Sequence, residues 1–246
     1  MPYFQNLERG SNSLIKTANK MGYMATDIDI YTQKFIDDCL QNGTYLEIGC
    51  SYGLAILPLL ERGCKIIAND MEISHLSYLE DLISKYFVKH KDNLTLLHGR
   101  FPNEVSFAPE SLDGILTART LHFLTGDEIE YGLHKLFSWL KPGGKLYIIS
   151  ETPYRKNLAE FIPVYEERKK NNIAWPGMLS YVHSYFTESQ DLPTFINFLD
   201  KDHLSEILEK IGYKLEEATN FRRQIGLCRY YEDYPNFMAV IASKPH

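Results

Sequence analysis

Several common signatures are missing from this chain. It has four cysteines, Cys39, Cys50, Cys64 and Cys228, in 246 residues. No two form a C-x-x-C pair, and no His/Cys cluster has zinc-ligand spacing, so free thiols and no metal are expected. Long apolar runs are absent as well. The densest, LAILPLL (Leu54–Leu60), falls far short of the roughly 20 residues of a membrane span. The opening stretch MPYFQNLERGSNSL lacks the basic head and apolar core of a signal peptide. A soluble, cytoplasmic protein without membrane contact is the expectation. A basic surplus is also lacking: net charge is −6, so no phosphate-neutralising surface and no nucleic-acid partner are expected. There is no internal repeat and no low-complexity tract.

What is present is an alternation of short apolar runs and amphipathic segments. TYLEIG, CKIIAND, NLTLLHG, SLDGILTA and KLYIIS read as strands between residues 44 and 150. The segments between them show helical spacing: LAILPLLERG, EISHLSYLEDLISKYFVKH, and GDEIEYGLHKLFSWL with Asp127 as its expected cap. Pro58 in the first of these is tolerable only in an early turn. Such alternation predicts a doubly wound, mostly parallel sheet with helices on both faces. YKLEEATNF and NFMAVIASK supply two closing strands, which makes seven. DIDIYTQKFIDDCLQNG and DKDHLSEILEKIG read as further helices, the latter capped near Asp200 or Asp202 and ended by Gly212. A single domain over 1–246 follows, with a helical cover at 1–40 and an insertion at about 155–200 after the fifth strand.

Ligands of open α/β sheets sit beyond the carboxyl ends of the strands, where strand order reverses. The first strand delivers Glu47-Ile48-Gly49-Cys50-Ser51-Tyr52-Gly53 to that edge. The dinucleotide fingerprint G-x-G-x-x-G fails there, because Ser51 and Leu54 stand where glycines are needed. No G-x-x-x-x-G-K-[ST] phosphate loop occurs anywhere. What remains is acid-x-Gly-x-x-x-Gly, then a second acid, Asp70, about 20 residues downstream at the end of the second strand. A carboxylate so placed can accept hydrogen bonds from ribose hydroxyls.

With LKPGGKLYI leading into the fifth strand, these elements make the chain resemble the class I S-adenosylmethionine-dependent methyltransferases over roughly residues 40–150 and the closing strands. Family members usually carry E/D-x-G-x-G-x-G; Glu47, Gly49 and Gly53 match, and Ser51 replaces the middle glycine. The resemblance implies S-adenosylmethionine as donor and S-adenosylhomocysteine as product. It implies donor contacts from Glu47, Gly49, Cys50, Ser51, Gly53, Asp70, Met71, Arg100, Phe101 and Thr117. Met71 would pack on the adenine, and Tyr23 in the cover would close over the methionine end. The chain departs from the family after the third strand, where Arg100 stands in place of an acid that binds the adenine amino group. Arginine cannot accept that bond, leaving a backbone carbonyl or stacking on Phe101.

The family has no invariant catalytic group. The loop after the fourth strand, Thr117–Phe123, faces the methyl group in relatives. There His122 is either a general base or a space-filler, and Arg119 either binds an anionic substrate or pairs with an acid. Tyr154 beyond the fifth strand and Trp175 in the insertion are further substrate-binding candidates. The insertion's aromatics (Phe161, Tyr165, Trp175, Tyr181, Tyr185, Phe186) either line an acceptor pocket or form the insertion's own core. The expected activity is methylation of oxygen or nitrogen on a small molecule by a monomer or homodimer. The alternatives are a macromolecular acceptor, RNA or protein, and a donor-binding or interaction module that has lost its chemistry.

Overall fold

A computed structural model describes residues 2–10, 14–185, 193–222 and 235–246. Phe186, Cys228 and most of the segment 222–235 lie outside these residues. The first 40 residues contain a hairpin that the sequence pattern does not reveal, β1 (Ile15–Lys16) with β2 (Tyr23–Met24), followed by helix α1 (Ile30–Asp38). Asp29 caps α1: its Oδ1 accepts from the N–H groups of Tyr31 and Thr32 at 3.0 and 2.9 Å. Capping by a side-chain oxygen satisfies N–H groups that have no partner within the helix.

The core elements follow in the expected order: β3 (Thr44–Ile48), α2 (Ile56–Glu61), β4 (Lys65–Asp70), α3 (Ile73–Tyr86), β5 (Leu94–His98), β6 (Leu112–Ala118), α4 (Gly126–Trp139) and β7 (Leu140–Glu151). Pro58 occupies the first turn of α2, where its missing N–H costs nothing. The cap of α4 is Thr125, not Asp127. Thr125 and Glu128 form a reciprocal capping box, and Asp127 lies inside the first turn. LKPGG does not stand apart as a turn; it is continuous with β7, whose register against β6 shifts between Leu112 and Gly114. Beyond β7 come α5 (Ile162–Lys170), the short pair β8 (Met178–Leu179) and β9 (Ile196–Asn197), α6 (Lys201–Ile211), β10 (Lys214–Phe221) and β11 (Phe237–Ser243). Gly212 ends α6 with φ at +112°, a conformation only glycine adopts cheaply.

The described residues form one seven-stranded sheet, ordered β10-β11-β7-β6-β3-β4-β5. The five strands from β7 to β5 run parallel, whereas β11 is antiparallel to both β7 and β10. Alternate side chains therefore enter two separate cores. Along β11, Phe237, Ala239 and Ile241 pack with residues of α1, α2 and α3, while Met238, Val240 and Ala242 pack with α4 and α6. The insertion has a third core of its own, built from Leu158, Phe161, Tyr165, Leu179, Val182, Ile196 and Phe198. Among the described residues, no helix is long and apolar enough to cross a membrane. Strand order reverses between β3 and β6, so the crevice lies at their carboxyl ends.

Candidate active site

The turn after β3 is built by backbone geometry first. Gly49, Ser51 and Gly53 all have positive φ, at +71°, +49° and +85°. At Gly49 close approach adds to conformation: a Cβ would stand 2.3 Å from Thr120 Oγ1, whose hydroxyl donates to Ile48 O at 3.0 Å. The N–H groups of Gly49 and Cys50 both donate to Asn69 O at 2.9 Å, which ties the turn to the end of β4.

Asp70 closes the same loop. Its Oδ2 accepts from Ser51 N–H at 2.8 Å and its Oδ1 from Glu72 N–H at 2.9 Å. The side chain is almost fully enclosed. These two donors use about half of a carboxylate's acceptor positions. The residue identified by its distance from the glycine turn thus meets that turn directly.

Glu47, the next-to-last residue of β3, is 6% exposed. Its Oε2 has no hydrogen-bond partner among the described residues, nor have the buried hydroxyls of Ser51 and Thr117. Burial pushes the Glu47 carboxyl up to about 8; Arg119 draws it down and Asp70 adds to the rise. A buried carboxyl without a partner is costly. Three such atoms near the glycine turn leave polar capacity that a cationic, hydroxyl-bearing ligand would satisfy. The Cys50 thiol, also buried, is pushed well above its ordinary range by burial and the two acids, and so is inert.

On the other side of the crevice, Arg119 follows β6 with φ at +59°. Its guanidinium is 2.9 Å from Asp29 Oδ2, a carboxylate that is 2% exposed. Burial raises Asp29, but Arg119 and the Thr32 hydrogen bonds outweigh it and hold it below the usual carboxylate range. Arg119 therefore pairs with an acid, a buried one, through its Nη1. Asp29 carries the α1 cap and this pair together. The sequence hints at the cap, since DIDIYT places an acid just before the helix, but nothing local points to the pair.

His122 is buried, with Nδ1 3.5 Å from Ser150 Oγ. Burial pushes its imidazole down to about 4, helped by Arg155 and Arg119 and opposed by Glu151. A ring so reluctant to take a proton is a poor general base near neutrality.

Other expected contacts are placed differently by the fold. Arg100 is ion-paired with Glu128 at 2.7 Å, and its N–H donates to Glu104 Oε2 at 2.7 Å. Phe101 is buried, its ring where a Cβ on Gly132 would be, and edge-on to Trp139. It is core packing under α4, not an open stacking surface. Met71, by contrast, is 45% exposed just past Asp70. Tyr154 donates to Glu166 at 2.6 Å and packs against the insertion's core. Trp175 stands apart from that core, pressed on Gly126 of α4 and edge-on to His203 of α6. Tyr181 is exposed. Tyr23 pairs with Lys16 in the hairpin.

A methyltransferase-domain family model matches residues 46–144, from β3 into β7. No curated protein sequence matches the chain. Solved structures are similar in fold at low identity. One is an S-adenosylmethionine-dependent methyltransferase from Mesorhizobium loti, at 13% identity and a TM-score of 0.63, covering 86% of this chain and 95% of that one. A second, from Methanosarcina mazei, has 17% identity and a TM-score of 0.62, covering 89% and 99%. The cyclase SpnF has 14% identity and a TM-score of 0.61, covering 87% and 80%. The matched stretch contains the glycine turn and both acids, and the sheet has the strand order that sets them at one crevice: over residues 46–144 the chain is similar to a methyltransferase domain, on a fold shared with S-adenosylmethionine-dependent methyltransferases.

Proposed function

We infer that Glu47, the glycine turn and Asp70 hold the donor, and that methyl transfer goes to an oxygen or nitrogen of a small molecule under the insertion. The observation that carries the first part is the unpartnered, buried Glu47 Oε2 beside a turn whose hydroxyls are also unsatisfied. A methionine ammonium is the cation that such a carboxyl lacks. Bound S-adenosylmethionine supplies a methyl carbon already activated by its positively charged sulfur.

The chain's own work is binding and placement. Glu47 gives up its proton on meeting the ammonium, because an adjacent cation favours the charged form. Asp70 accepts from the ribose with its remaining acceptor positions. Met71 offers an exposed apolar face to the adenine, while Arg100 and Phe101 are committed elsewhere. Thr117 brings a buried hydroxyl with no partner among the described residues, and the Arg119–Asp29 pair ties the end of β6 to the cover. His122, neutral and buried, shapes the acceptor side without serving as base. An acceptor that needs no strong base, an amine or an acidic hydroxyl, suits these walls best.

A small acceptor is supported by the acidic balance of the chain and by the insertion's separate core, which stands beyond β7 at the functional edge. Titration calorimetry with S-adenosylhomocysteine tests the donor site. Asp70→Ala should weaken binding by about 1.5–3 kcal/mol, roughly ten- to a hundredfold. Unchanged affinity would remove Asp70 from the site, and no binding by the wild type would leave an inactive module. Methyl transfer to RNA or protein in preference to small amines and phenols would reverse the acceptor assignment.

A further inference from the structure

Behind Asp70 stands a residue that the donor site has not yet used. His75 lies in the first turn of α3, is 1% exposed, and sits between the carboxylate and the N-terminal hairpin. Its Nε2 lies 3.0 Å from Ala18 N and accepts that backbone N–H. A ring nitrogen that accepts must keep its lone pair, so the proton of the neutral ring is on Nδ1. Nδ1 is 3.2 Å from Asp70 Oδ1, close enough for attraction, yet off the line of a hydrogen bond, so it has no aligned acceptor among the described residues. Hydrogen bonds at ligand sites often tighten only when the ligand arrives.

The hairpin is caught a second time next to this contact. Tyr52, within the glycine turn, packs edge-on to His75 at 4.7 Å, and its hydroxyl donates to Lys16 O at 3.2 Å. Between the two anchor points is Thr17, whose N–H and hydroxyl both donate to Gly22 O, at 3.1 and 3.0 Å, and close the hairpin's turn. A histidine with a purely structural role would have both nitrogens paired. Here one is spent on the cover and the other is left beside the acid assigned to the ribose.

We propose that His75 is a positioning residue for donor binding, steadying the Asp70 carboxylate from its Nδ1 side and holding the hairpin 15–24 over the same ligand from its Nε2 side. This rests on the reading of Asp70 as the ribose acceptor. A ribose hydroxyl drawing on Asp70 turns the carboxylate toward Nδ1–H, while the Nε2 contact keeps the hairpin in place, so one ring serves the two ends separately.

Two substitutions separate the two sides of the ring. His75→Asn keeps a donor near the Nδ1 position but is too short to reach Ala18. His75→Gln reaches Ala18 with its carbonyl oxygen but leaves Asp70 without the nearby N–H. The readouts are calorimetry with S-adenosylhomocysteine and hydrogen exchange at the Ala18 amide. His75→Gln should keep Ala18 protected and weaken binding by about tenfold, whereas His75→Asn should bind within about threefold of wild type and exchange Ala18 about tenfold faster. Wild-type affinity in both variants, or parallel loss of affinity, protection and thermal stability in both, would overturn the assignment. Asp70→Ala distinguishes the two readings. If it weakens binding while the His75 variants do not, the ribose reading stands and the positioning role falls. If it binds as wild type, both fall.

Discussion

The glycine turn and the insertion differ in how they treat polar groups. Around the turn proposed to hold the donor, Glu47, Ser51 and Thr117 each bury an oxygen without a partner among the described residues. In the insertion, polar groups mostly satisfy one another. Tyr154 donates to Glu166, Tyr165 and Lys169 converge on Asp200, Arg168 reaches the carbonyls of Pro176 and Met178, and Arg155 pairs with Glu151. The Oδ1 atoms of Asn157 and Asn197 are among the exceptions there. A region with unpaired oxygens is finished by its ligand; a region with paired ones is finished by folding. Substitutions on the first should therefore change affinity, and those in the second mainly stability.

The largest effect expected is at the turn itself. Gly49→Ala forces a Cβ against Thr120 at a φ that L-residues avoid. It should cost about 3 kcal/mol of stability, or a melting temperature lower by about 6–12 °C, and abolish donor binding. A variant with wild-type melting would show that the turn is looser than its geometry implies.

Next is Asp29→Ala, which removes a cap and leaves the Arg119 guanidinium, still partly solvated, without its partner. A loss of about 2–3 kcal/mol is expected in urea denaturation, with donor affinity little changed. A large loss of affinity would mean that the pair belongs to the donor site.

The pH dependence of stability separates Glu47 and His122. Folded Glu47 keeps its proton up to about 8, whereas the unfolded carboxyl has the ordinary value of 4.5. Stability consequently falls as pH rises through that window, by up to about 1.4 kcal/mol per unit. Folded His122 stays neutral down to about 4 against an ordinary 6.5, so its contribution is lost as pH falls across that window. The two slopes oppose each other at mildly acid pH, and only that of Glu47 persists above about 6.5. Glu47→Gln should remove the decline on the alkaline side and His122→Gln the loss on the acid side, both read from urea midpoints. Added S-adenosylhomocysteine should flatten the Glu47 slope alone.

The smallest effect is reserved for the insertion. Tyr165→Phe removes the hydroxyl that binds Asp200 while Lys169 remains, and should cost about 1 kcal/mol without altering donor affinity. A tenfold weaker donor would make the insertion part of the donor site and dissolve the contrast.

The sequence carries the glycine turn far better than the insertion, and the reason is distance along the chain. Glu47, Gly49, Gly53 and Asp70 lie within one strand-turn-helix-strand unit, whose spacing fixes their placement whatever the rest does. The helices of the sheet are equally legible from their apolar spacing. The hairpin escapes because Ile15–Lys16 and Tyr23–Met24 are too short to show a period. The α4 cap is written in the sequence as Thr125 and Glu128, a spacing that competes with the nearer Asp127. The fates of Arg100, Phe101, Arg119 and Trp175 depend on partners in other elements: Glu128, Gly132, Asp29 and Gly126. No local pattern encodes those meetings. His75 shows the same limit, since only the folded hairpin reveals what its second nitrogen touches.

The Arg119–Asp29 bond joins positions 90 apart. A ribosome delivering this chain releases the acid long before its cation, and the intervening length holds the whole of β3 through β6. The contact must wait for the central strands, since closing so long a loop brings no reward until they have formed. The segment around Asp29 is thus made before the strands it rests on and settles after them, so a nascent chain stalled before residue 119 would leave it open to proteases.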